Sequence, residues 1–75
     1  MTQTYNNMKL NEYRISKKWS YGQLAMMLGV SHATVARRYC LPVSHRNYMI
    51  PNRKYMLEVV RLTQGAVQPN DFYYE

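Results

Sequence analysis

Residues 20–39 read SYGQLAMMLGVSHATVARRY, and their spacing decides the fold. Ser20 followed by Gln23 is a capping box, in which each side chain meets an unpaired backbone N–H of the other residue at a helix start. Trp19 before the cap and Leu24 beyond it stand at hydrophobic-staple spacing, so Leu24, Ala25 and Leu28 are expected on a core-facing stripe. Gly29 follows where a helix that stops sharply needs positive φ. Ser31 is read as the cap of the next helix, with Val30 and Val35 repeating the staple spacing. Two helices separated by about three residues form a helix-turn-helix, its second helix running from Ser31 to about Tyr39.

Outward from that unit the signals weaken. Residues 1–7 carry no helical pattern and are expected to be flexible. A first helix is read from about Met8 to Lys17, with Met8, Leu10, Tyr13 and Ile15 only loosely periodic. Beyond Cys40, the stretch Leu41–Pro51 contains two prolines and the polar group Ser44, His45, Arg46 and Asn47, so it reads as a loop or a short hairpin. Asn52 is a cap for a further helix through about Thr63, with Met56, Val59, Val60 and Leu62 toward the core and a stop near Gly65. Pro69 opens a last turn that carries Phe72. The expected architecture is all-α: four to five helices in one domain, residues 8–75, around a central helix-turn-helix.

Seventy-five residues suffice for one small core. The formal charge is +6, and no acidic residue lies between Glu12 and Glu58, while Arg14, Lys17, Lys18, Arg37, Arg38, Arg46, Arg53 and Lys54 do. That asymmetry suggests a positive face for a polyanion such as nucleic acid. A merely soluble basic protein has the same composition. Cys40 alone makes no internal disulfide, and no Cys/His spacing matches a zinc site, so no metal or cofactor is expected. No signal peptide or membrane span is read, which makes the cytoplasm the default location. His32 and His45 lack a nearby acid to orient them, and with four carboxylates in the chain nothing points to an enzyme.

The segment Ser20–Tyr39 resembles the helix-turn-helix of the phage repressor and Cro superfamily, the XRE family, most specifically at Gln23, Leu24, Ala25, Leu28, Gly29, Val30, Ser31, Thr34, Val35 and Arg37. The downstream sequence IPNRKYMLEVVRLTQGAVQPNDFY is similar to the closing helix and turn of small members, so the likeness spans residues 8–73. Two departures stand out. Arg38 occupies a place where the family usually has a large apolar residue, and Tyr39 is expected to take over that core role with Arg38 along the surface. The Leu41–Ile50 connection is longer than the usual loop; it is a small wing touching phosphate, a partner-binding loop, or neutral decoration.

The resemblance implies a lambda-repressor-like domain and a sequence-specific regulator of double-stranded DNA, more often a repressor, acting as a homodimer on two half-sites. It places His32, Ala33 and Arg37 against base edges. His32 can donate or accept, Ala33 offers a methyl surface to thymine, and Arg37 can bind guanine O6 and N7 together. It places the start of the preceding helix, Ser20, Tyr21 and Gln23, near phosphate. Thr34, Arg38, Arg46 and Asn47 are further phosphate candidates, and Arg37 itself serves equally well as a phosphate clamp. The alternative function is a protein-interaction module that presents the Leu41–Ile50 loop or the aromatic tail to a protein partner. Nonspecific or single-strand binding would rest on charge and tyrosines alone. Trp19 and Phe72 read as core plugs, while Tyr73 and Tyr74 suit packing on their own chain or on a second copy equally.

Overall fold

Most helix boundaries among the described residues have a local chemical cause. The computed structural model describes residues 8–74; the segment 1–7, expected to be flexible, and Glu75 lie outside the described residues. Four helices follow in order, α1 (Leu10–Ser16), α2 (Tyr21–Leu28), α3 (Ala33–Cys40) and α4 (Arg53–Leu62), then a closing 3-10 turn, Pro69–Phe72. Among the described residues there is no strand, so the fold is all-α and the short hairpin considered for Leu41–Pro51 does not form.

α1 is shorter than the expected Met8–Lys17. Glu12 accepts a 2.8 Å hydrogen bond from the Lys9 backbone N–H, which fixes Lys9 as the cap. At the other end Lys18 turns the chain at φ 60°. The Trp19 N–H then bonds the Arg14 carbonyl and the Lys18 N–H the Ile15 carbonyl, the paired bonds of a Schellman ending. α2 begins as its capping box requires: Gln23 N–H to Ser20 Oγ at 3.0 Å, and Ser20 N–H to Gln23 Oε1 at 2.8 Å. It ends on the same paired bonds at Gly29, φ 82°, from Val30 to Ala25 and from Gly29 to Met26.

The start of α3 differs from expectation. His32, with extended backbone, is the N-cap and its side chain makes no capping bond; Ser31 precedes it as an exposed bend. The turn after Gly29 thus runs one residue further before helical geometry begins, and the staple pairing of Val30 with Val35 loses its register. Asn52 caps α4 as expected, accepting from the Tyr55 N–H at 3.0 Å. α4 ends with Gln64 at φ 54°, just before Gly65.

α2 packs mainly on α3 and also meets α4, while α1 packs against α3. The core joins Leu10, Leu24, Ala25, Leu28, Val30, Ala36, Tyr39, Val59, Val67 and Phe72, with Trp19 half-buried against it. Burying an aliphatic side chain of this size stabilises by about 1.5–3 kcal/mol. Tyr39 is buried in the core and Arg38 is exposed. Burial, and then the neighbouring Tyr55, push the Tyr39 hydroxyl above the usual range. Thr63 stitches the C-terminal segment to α4: its hydroxyl donates to the Val59 carbonyl at 2.8 Å and accepts from the Val67 N–H at 3.1 Å. Of the expected inward residues of α4, Val59 is buried and Met56, Val60 and Leu62 are half-buried.

Candidate nucleic-acid interface

A helix of 3.6 residues per turn advances about 100° per residue, which splits α3 into two arcs of about 140° each. Val35, Ala36, Tyr39 and Cys40 form the inner arc and are buried or half-buried. Ala33, Thr34, Arg37 and Arg38 form the outer arc and are all exposed; His32 is exposed too, but as the extended N-cap it belongs to neither arc. The four predicted contact residues within the helix therefore share one side. Among the described residues neither the Arg37 nor the Arg38 side chain has a hydrogen bond or ion pair, so both guanidinium groups are free for an anion or a base edge. Their place in the last turn also suits the helix dipole, which favours cations there whatever they bind.

The start of α2 is the second predicted element. Ser20 and Gln23 are exposed but bonded to each other, which leaves the Ser20 hydroxyl hydrogen and the Gln23 amide hydrogens as donors. Tyr21 is half-buried, its ring 4.1 Å beneath the Arg14 guanidinium. Arg14 also bonds Asn11 Oδ1 at 3.0 Å and the Trp19 carbonyl at 2.8 Å. It is a brace between the end of α1 and the start of α2 rather than part of a free basic surface. Sequence pattern counted it only as a charge; a brace of this kind depends on contacts that spacing does not reveal.

Arg46 and Asn47 stand apart, exposed in the turns of the connection between α3 and α4. That connection leaves and rejoins α3 at one atom: the Arg38 carbonyl accepts from the Leu41 N–H at 3.4 Å and from the Met49 N–H at 3.2 Å. Within it the His45 N–H bonds the Pro42 carbonyl, the Tyr48 N–H bonds the His45 carbonyl, and the Asn47 N–H donates to His45 Nδ1 at 3.0 Å. Tyr48 then donates to the Phe72 carbonyl at 2.5 Å, fixing the connection to the closing turn. It is a clasped Ω-type loop with a polar tip.

The electrostatics around α3 follow from where the carboxylates are engaged. Glu12 caps α1, Asp71 accepts from the Gln68 N–H at 2.8 Å, and Glu58 pairs with Arg61. The first turns of α2, α3 and α4 contain no acid at all. A separate cleft of about 270 Å³ lies beside the inner arc, between Leu10, Tyr39, Cys40, Val43 and Phe72, with Lys9 at its edge. Lys9 there donates to the Asp71 carbonyl at 2.6 Å. Cys40 in its wall has its thiol pushed up to about 11 by burial, a shift that the nearby Arg14 only partly opposes. Among the described residues no group of His, Cys, Asp and Glu is arranged to hold a metal ion, and no helix is long and apolar enough to cross a membrane.

No protein-family model, curated protein or solved structure matches this chain.

Proposed function

We propose that the chain is a sequence-specific double-stranded DNA-binding regulator of transcription, with α2 and α3 as a lambda-repressor-like helix-turn-helix and α3 in the major groove. The observation that carries this reading is the outer arc of α3: Ala33, Thr34, Arg37 and Arg38 share one exposed side, and both arginines are unpaired among the described residues. A helix with its side chains is about 10–12 Å across, and the major groove is about 12 Å wide. His32, Ala33 and Arg37 read base edges. Ser20, Tyr21, Gln23, Thr34, Arg38, Arg46 and Asn47 hold phosphate or the groove wall. A homodimer on paired half-sites, acting as a repressor in a bacterial or phage-infected cytoplasm, completes the reading.

The second reading is a protein-interaction module. It is supported by the Leu41–Ile50 loop and by Tyr73 and Tyr74, which are 59% and 67% exposed and so little covered by the described residues.

Selection from random duplexes at low salt separates the two. Enrichment of one motif supports the regulator, uniform retention supports nonspecific binding, and no retention leaves the protein partner.

A further inference from the structure

α4 has an outward side that DNA recognition through α3 does not use. By the same 100° step, Arg53, Leu57, Arg61 and Lys54 fall within an arc of about 100°, and all four are exposed. Leu57 is 61% exposed and sits one turn from Arg53 on one side and one turn from Arg61 on the other. Half-buried Val60 lies about 60° around the helix from Leu57 and is not among the residues packed on the core. Lys54 holds its ammonium group 5.3 Å from the Tyr55 ring, at the margin of this stripe. Among the described residues the one carboxylate near it, Glu58, is paired with Arg61 in an exposed ion pair that another carboxylate can replace.

We infer that this side of α4 is a docking surface for an acidic, amphipathic segment of another protein, in which an apolar side chain covers Leu57 and Val60 while carboxylates meet Arg53, Lys54 and Arg61. The charge disfavours the simplest occupant: two copies joined through α4 would bring four uncompensated cations, Arg53 and Lys54 of each, together around their leucines. The apolar centre argues against phosphate, which gains nothing from a leucine between the cations. A lipid surface is disfavoured because Leu57 and half-buried Val60 offer it little apolar area to bury. An acidic helix with apolar residues at helical spacing satisfies both the charge and the leucine. This inference concerns a different surface from the outer arc of α3 and stands or falls separately from DNA binding.

The test uses the full chain and a labelled amphipathic peptide of leucine and glutamate, with a scrambled peptide of the same composition as its partner. Saturable binding is expected, with amide shifts centred on residues 53–61. Affinity should fall about tenfold or more with the scrambled peptide and with Leu57→Ser, the loss that uncovering one leucine implies. Leu57 is exposed, so Leu57→Ser should melt with the parent chain and bind duplex DNA as the parent does. Arg53→Glu should weaken the peptide independently. Equal binding of the two peptides, no change with Leu57→Ser, or shifts centred on α3 would each overturn the inference, leaving only a charge attraction.

Discussion

The stretch from Ser20 to Cys40 and the connection that follows it are ordered by different kinds of bond. In the first, the bonds that set the ends of α2 close over three to five residues: Ser20 with Gln23, then Gly29 with Met26 and Val30 with Ala25. In the second, the tie that fixes the chain joins Tyr48 to Phe72, twenty-four residues apart, and the loop closes on the carbonyl of Arg38. The difference predicts where damage travels. A local bond that is lost frays one helix end, whereas a long-range tie that is lost releases both of the segments it joins.

The harshest way to break the comparison is to remove what both regions share. Leu24 is fully buried beneath the α2–α3 unit. Leu24→Ala should cost about 2–5 kcal/mol by denaturant titration, enough to unfold much of a small domain whose whole margin is of the same order. A loss of only a few tenths would mean that α2 does not pack on this core.

Cys40 stands at the joint between the regions, and its chemistry reports on both. Its pKa rises from 9.0 to about 11, because burial disfavours the thiolate. At pH 8 the native thiol should therefore alkylate about a hundredfold more slowly than in denaturant. The sign for stability follows: the folded state holds this proton more tightly, so the contribution is complete below the unfolded value of 9.0 and is lost as pH rises through about 11. Equal alkylation rates would place the thiol in solvent.

The finest test sets one bond of each kind side by side. Ser20→Ala and Tyr48→Phe should each cost about 1 kcal/mol. Hydrogen exchange should differ in reach: Ser20→Ala should speed the first turn of α2 alone, while Tyr48→Phe should speed both the loop and the closing turn. Identical exchange footprints would erase the distinction.

The same contrast explains what the amino-acid sequence discloses. The ends of α2 and the starts of α2 and α4 are legible because Ser20, Gln23, Gly29 and Asn52 act on backbone groups within a turn of themselves. The start of α3 is misread by one residue, since Ser31 is a good capping residue but the turn places His32 at the cap without a side-chain bond. Lys18 and Gln64 are missed as left-handed helix stops, because neither residue type advertises positive φ as glycine does. Arg14 looks like a free cation until Asn11, Trp19 and Tyr21 are brought around it. The outer arc of α3 follows from periodicity alone once the helix is granted. The clasp of the loop on Arg38 requires pairings that no local pattern encodes.

The claim that the outer arc of α3 reads base sequence is tested most directly through Arg37, whose guanidinium is exposed and has no partner among the described residues. Binding of the parent chain and of Arg37→Ala is measured at one fixed salt concentration, on the selected duplex and on its single-base variants. The predicted result is a loss of about 1–3 kcal/mol on the selected duplex together with relaxed preference at one base position. An equal loss on every duplex would make Arg37 a phosphate contact, and no loss on any of them would contradict the placement of this side of α3 against DNA.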